Sequence, residues 1–168
     1  MTTPLALVPL GPHDAVLLSH LLELYIHDLS AVFTQVKLGD DGRFGYPALS
    51  QFVAGTDGRH AYLLREAGSL AGFVLVQRGS PASADPNVRD IAEFFVLRSF
   101  RGRGLGRAAA ELLWDTLPGP WVIRAAQKNA PAVRFWREVV GRYAGPRMVV
   151  AEFRPGWVAF SFDNAWRD

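Results

Sequence analysis

The chain has no cysteine. This excludes disulfides, thiolate metal sites and any acyl transfer that passes through an acyl-cysteine. No apolar run reaches the ~18 residues of a membrane-spanning helix. The first ten residues lack the basic segment and apolar stretch of a secretory signal. Together these absences lead us to expect a cytoplasmic protein without a membrane partner. No repeat, low-complexity tract or long linker divides the sequence, so residues 1–168 are expected to form one domain. Lysine is nearly missing, two residues against sixteen arginines, yet the net charge is only +2. The arginine excess reads as compositional bias except at Arg98, Arg101, Arg103 and Arg107, where it reads as a patch for phosphate. Without a dense basic run interleaved with aromatics, no nucleic-acid partner is expected.

What the chain does have is ordinary globular composition, 49% apolar and 20% charged. Leu5–Leu10 reads as a short strand, ended by Gly11-Pro12. From His13 to about Phe33, Leu18, Leu22, Tyr25, Leu29 and Val32 recur at helical spacing. Residues 39–46 form a loop, and Pro47–Val53 a short helix. Strands over His60–Glu66 and Ser69–Gln77 meet at Ala67-Gly68, a hairpin signal. Further strands are expected over Val88–Leu97 and Trp121–Ala126, with helices over Gly104–Thr116 and Ala130–Val140. Met148–Phe153 and Trp157–Phe162 close the chain as a second hairpin. Such an order implies a mixed α/β sheet of about seven strands.

The richest segment runs from Glu93 to Arg107, where a strand enters a glycine-dense turn that opens a helix. Glycine reaches positive φ and lets a ligand approach the backbone. The first amides of the helix lack internal partners and, with the helix dipole, suit a pyrophosphate. Arg101, Arg103 and Arg107 add charge where anions would sit. No Gly-x-x-x-x-Gly-Lys-Ser/Thr string exists, and Gly102 and Gly104 are followed by Arg107 where a dinucleotide fingerprint needs its third glycine. A plain helix-capping turn would not need three glycines alternating with arginines.

These residues resemble the GNAT acetyltransferases. The family's Arg/Gln-x-x-Gly-x-Gly/Ala motif is met by Arg101, Gly104 and Gly106, with Val96 in register before it. Its Asn-x-x-Ala-x-x-aromatic-aromatic motif is met by Asn129, Ala132, Phe135 and Trp136. The Glu93–Gly106 phrase is also similar to a bacterial branch of predicted acetyltransferases. The likeness is strongest over His60–Tyr143, while the order of elements matches nearly throughout.

The resemblance implies a GNAT-like α/β (α+β) fold. Its mixed, mostly antiparallel sheet is splayed near Val96 and flanked by about four helices. It implies acetyl-CoA as co-substrate, with no metal. The backbone of Phe94 and Val96 would pair with the pantetheine arm, and the Val96 N–H would stabilise an oxyanion. Amides over Gly102, Arg103, Gly104, Leu105, Gly106 and Arg107 would hold the pyrophosphate. Asn129 would position the arm, and Ala132, Phe135 and Trp136 would wall it. The acceptor would be a small-molecule amine or a peptide, attacking the thioester directly, and a homodimer is left open.

An alkyl amine is mostly protonated at pH 7, so a base is useful. Glu93 is the candidate; the alternative is an edge-of-core Glu paired with an Arg. Many family members carry Tyr at the position of Trp136, as an acid for the leaving thiolate. Indole cannot fill that role, so water, Tyr143 or another group must. The same departure keeps a second reading open, a non-catalytic CoA-binding sensor. His13, His20 and His27 recur every seven residues, each step ~10 Å, too far for a shared metal. They read as the border of the buried face. The alternative places Tyr25, His27 and Asp28 at the acceptor pocket, Asp28 falling by helical angle among Leu21, Leu24 and Tyr25. Trp121, Trp157 and Trp166 read as packing residues.

Overall fold

The computed structural model describes residues 4–165. Seven strands are seen among them: β1 (Leu5–Pro9), β2 (His60–Glu66), β3 (Ser69–Arg78), β4 (Arg89–Val96), β5 (Pro120–Ala126), β6 (Val149–Arg154) and β7 (Trp157–Asp163). The helices are α1 (Ala15–Ser30), α2 (Leu49–Ala54), α3 (Leu105–Thr116) and α4 (Ala130–Ala144). One sheet runs β1-β2-β3-β4-β5-β7-β6. Every neighbouring pair is antiparallel except β4–β5.

The two faces of the sheet bury different partners. Helices α3 and α4 cover one face, where Trp114, Val140 and Phe160 are fully enclosed. Helix α1 covers the other through Leu18, Leu21, Leu22 and Ile26, packed with Phe73 and Phe95. Both layers follow from apolar residues at helical spacing meeting strands that are apolar on both sides.

Three expectations need correction. Helix α1 is shorter than the expected His13–Phe33: a 3₁₀ turn over Pro12–Asp14 precedes it. At its end the N–H groups of Val32 and Phe33 both return to the Leu29 carbonyl, at 2.9 and 2.8 Å, which closes the helix. Helix α4 runs four residues past Val140 because Val139, Val140, Tyr143 and Ala144 continue its buried face through Gly141. It stops at Gly145, φ +55°. Finally, His13, His20 and His27 are all exposed, so the stripe faces solvent and does not border the core.

Trp121 is a core residue and donates its indole N–H to the Leu117 carbonyl at 3.0 Å. Trp166 lies outside the described residues. Several arginines lie over aromatic rings, among them Arg89 on Trp121, Arg103 on Phe100, Arg137 on Phe160 and Arg154 on Trp157. Part of the arginine excess is thus spent on packing spread over the surface.

In the first half of β3, Gly72 is pressed against β4. A Cβ there would lie 1.9 Å from the Phe95 carbonyl oxygen, a backbone atom that cannot swing aside. Gly72→Ala is therefore expected to push β4 away and destabilise the fold by up to about 3 kcal/mol. Urea unfolding of the variant checks this; an unchanged midpoint would refute the close approach.

Candidate functional site

Strand β4 bonds β5 only through Arg89–Trp121, Asp90–Val122 and Ile91–Ile123. Beyond Ile91 the strands part, although β4 runs on to Val96 and β5 to Ala126. The cause is a bulge. Leu75 opposes Glu93 and the next residue, Val76, opposes Ile91, which leaves Ala92 unpaired. A bulge bends its strand and shifts the side-chain alternation by one. Ile91, Phe94 and Val96 therefore face the α3–α4 layer, while Ala92 and Phe95 join the α1 layer.

The N–H of Leu97 donates to Ala71 on β3 at 2.8 Å. By ladder alternation the backbone groups of Phe94 and Val96 then point into the gap. The Val96 carbonyl is already engaged there by Arg101 Nε, at 2.7 Å.

A cavity of ≈ 1120 Å³ lies along the gap, lined by residues from both faces of the sheet. At its centre Glu93 accepts hydrogen bonds from the Tyr25 hydroxyl at 2.5 Å and the Tyr46 hydroxyl at 3.1 Å. Burial raises the Glu93 carboxyl above its ordinary range; the two phenols and the nearby Arg124 pull the other way without cancelling it. Both phenols are pushed up by burial and by the Glu93 charge, so they remain donors. The Arg alternative for Glu93 does not hold: Arg124 is instead bound to the fully buried Asp90, Nε to Oδ2 at 2.6 Å and a second nitrogen to Oδ1 at 3.1 Å.

On the other side of the gap, the loop between β4 and α3 contains Gly102 and Gly104, at φ +77° and +80°. Gly104 is the N-cap of α3 and offers no side-chain bond, so the amides of Leu105, Gly106 and Arg107 lack partners within the helix. Alternating left-handed glycines turn successive N–H groups toward one concavity, an anion nest. Gly106 serves a second purpose, since a Cβ there would come within 3.2 Å of the Phe135 ring.

The three loop arginines are not equivalent. Arg101 pairs with Asp28 at 2.8 Å, and Arg98 binds the other oxygen of Asp28 at 2.7 Å. Burial would raise the Asp28 carboxyl, but these two hydrogen bonds outweigh it and hold it below its ordinary value. Arg103 pairs with Glu66 at 3.0 Å. Among the described residues no acidic side chain pairs with Arg107, which lines the cavity beside the nest.

Asn129 caps α4, its Oδ1 accepting from the Ala132 N–H at 3.4 Å, and both residues line the cavity. Phe135 lines it too. Trp136 is nearly buried, edge-on to Phe94 with centroids 5.0 Å apart, and forms part of the wall. Tyr143 does not line the cavity; its hydroxyl donates to Asp115 at 2.7 Å behind Trp114. Tyr25 and Asp28 line the cavity, but His27 does not: it is exposed and lies against Phe44. Asp28 sits at the margin of the apolar face, since Leu24 in the same sector is exposed.

Sequence reading missed Arg124, Tyr46 and Trp157 as cavity-lining groups, and Asp90 as the buried partner of Arg124. A signal existed for Arg124, a lone charge in an otherwise apolar strand. Tyr46 and Trp157 carried none, because their approach depends on how a loop and a hairpin fold back.

Among the described residues no helix is long and apolar enough to cross a membrane. None of the curated proteins matches the chain. Solved structures of similar shape include a GNAT-family acetyltransferase from Streptococcus agalactiae, with TM-score 0.71, 13% identity, and 95% of each chain covered. The aminoglycoside acetyltransferase AAC(6')-Ib, in complex with coenzyme A and kanamycin, aligns with TM-score 0.67 and 16% identity over 97% of this chain and 96% of that one. Arabidopsis thaliana NAA60, in complex with a bisubstrate analogue, aligns with TM-score 0.61 and 17% identity over 95% of this chain and 98% of that one. At such identities the likeness is one of fold. Residues 20–141, from α1 through the glycine loop to α4, match the acetyltransferase (GNAT) family, and the chain belongs to it.

Proposed function

We propose that the protein transfers an acetyl group from acetyl-CoA to an amine by direct attack on the thioester. The observation that carries this reading is a single cavity with an anion nest at one side and a buried, raised carboxylate at its centre. The nest and Arg107 suit a pyrophosphate, and the gap-facing backbone of Phe94 and Val96 suits the amides of a pantetheine arm. The Val96 carbonyl, held by Arg101, leaves its N–H as the group for an oxyanion. Acetyl-CoA supplies the activated acyl carbon.

Glu93 would take the proton of the incoming ammonium. Tyr25 and Tyr46 hold its carboxylate in place; their protons are engaged there and do not serve the leaving thiolate. Tyr143 lies outside the cavity, which removes it as well. Water is left for that step, and a thiolate departs readily without a strong acid. The lack of a phenol at Trp136 favours a second reading, a coenzyme A-binding sensor without chemistry.

Acetyl-CoA is expected to raise the melting temperature, with about 2.7 kcal/mol of stabilisation at a hundred times its Kd. Gly104→Asp should abolish the effect, because a side chain at φ +80° and a negative charge would enter the nest. Thermal shift of folded wild type and variant checks this; no shift at millimolar cofactor would sink the reading. Thiol release in the presence of amines separates transferase from sensor.

A base with a raised pKa should give a rate that climbs with pH through a midpoint above the ordinary carboxylate range. Glu93→Gln is expected to lower kcat about 10²-fold at neutral pH, the loss shrinking at high pH. Folding raises this carboxyl, so its contribution to stability is full below the unfolded pKa of 4.5 and is lost as pH rises through the native value. The variant should therefore melt no lower than wild type at neutral pH. Parallel kinetics and melting curves check both statements; a variant with wild-type turnover across pH would return Glu93 to a structural role.

A further inference from the structure

The charges around the cavity limit what an acceptor can be. Asp90 is neutralised by Arg124 through two hydrogen bonds, and Asp28 is held by Arg98 and Arg101. Glu138, at the margin, pairs with Arg142 one turn along α4. Glu93 alone binds neutral partners, the phenols of Tyr25 and Tyr46. The chamber on the α1 face thus presents one uncompensated carboxylate and satisfies one ammonium. Among the described residues that line it, no cation on this side lacks a carboxylate partner. Arg124 is bound to Asp90, Arg101 is bound to Asp28, and the phosphate side holds Arg107; Lys128 and Arg154 lie over the rings of Phe33 and Trp157 but do not line the cavity. A substrate carboxylate would find no unpaired cation among the lining residues around Glu93, and a second ammonium would meet only arginine-bound carboxylates.

The walls around Glu93 are apolar and largely aromatic. Val158 and Phe160 of β7 belong to the α3–α4 layer, so alternation turns Trp157 to the α1 face. Phe33, just past α1, lies nearly parallel to Trp157 at 6.3 Å between centroids. Phe44 and Tyr46 line the side nearest α1. Such a surface favours a flat apolar body over a polyhydroxylated one, whose hydroxyls would be left unpaired.

We propose that the acceptor is a small arylalkyl primary monoamine, its ammonium at Glu93 and its ring against Trp157 and Phe33. This rests on the transferase reading and narrows it. One ammonium proton passes to the Glu93 carboxylate and then to solvent. The freed nitrogen pair forms a C–N bond to the thioester carbon as the C–S bond breaks. The second nitrogen proton balances the departing thiolate, giving amide and free thiol.

The test compares kcat/KM for four acceptors at saturating acetyl-CoA: phenethylamine, phenylalanine, spermidine and kanamycin. Phenethylamine should be best. Phenylalanine, which adds only a carboxylate, should be worse by on the order of 10²-fold. Trp157→Ala should raise the KM for phenethylamine about tenfold with kcat little changed, while the KM for acetyl-CoA stays put and Trp157→Phe restores most of the loss. Equal or better turnover of phenylalanine, spermidine or kanamycin would overturn the acceptor class and leave the transferase reading standing, as would a Trp157→Ala enzyme with an unchanged phenethylamine KM. Thiol release with none of the amines, from protein that still gains stability with acetyl-CoA, would overturn both.

Discussion

Beyond Ile91 and Ile123 the two central strands stop bonding to each other, and every feature of the cavity depends on that parting. A parallel ladder broken in mid-sheet leaves two inner edges whose N–H and C=O groups would each cost about 1–3 kcal/mol if buried and unpaired. The Ala92 bulge makes the break possible by bending β4 while its other edge stays bonded to β3. Part of the penalty is met within the chain, where Arg101 covers the Val96 carbonyl. The rest of the edge is suited to an extended ligand with amides of its own, as a pantetheine arm has. Fold and cavity are in this sense one constraint: the parting that ends the β4–β5 ladder is what opens the gap.

The same bulge decides which chemistry meets the gap. Unbroken alternation would have placed Glu93 with Ile91, facing α3 and α4. Shifted by one, it reaches the α1 face, where Tyr25 and Tyr46 can bind it. There it is buried enough for its carboxyl to rise, yet it remains on a cavity wall. Asp90, before the bulge, shares this face and is buried completely, which the bidentate Arg124 makes tolerable. Two carboxylates three residues apart thus acquire opposite characters: one locked in an ion pair, one bound only by neutral donors. That contrast suits the second, and not the first, to proton transfer.

How far this could be read in advance depends on the range of the signal. The glycine loop, the start of α4 at Ala130 and the layered order of strands and helices are encoded in a few adjacent residues, and all stand where expected. Helix ends differ because Gly141 looks like a stop locally, while the buried face formed with β5 and β7 carries α4 through it. Asp28 stands out in the sequence for a sound reason, a carboxylate near an apolar face, but its partners Arg98 and Arg101 lie some seventy residues away. Nothing in a helical wheel can show that a residue of the phosphate loop will be spent on tethering α1.

That tether bears on how the two halves of the site communicate. Arg101 touches three elements at once: the carbonyl of Val96, the carboxylate of Asp28 and the ring of Phe95. In the family motif an arginine opens the phosphate loop, and its charge invites the assumption that it binds phosphate. Here its Nε and one terminal nitrogen are bound to Val96 and Asp28, whereas Arg107 has no acidic partner among the described residues. Backbone donors on a helix terminus are fixed by the fold and lose little entropy on binding, whereas a long side chain must be ordered. Using Arg101 to hold the loop against α1 and β4 therefore strengthens the nest by orienting it. It also links α1 to the glycine loop across the end of β4, through one guanidinium that bonds Asp28 and the Val96 carbonyl.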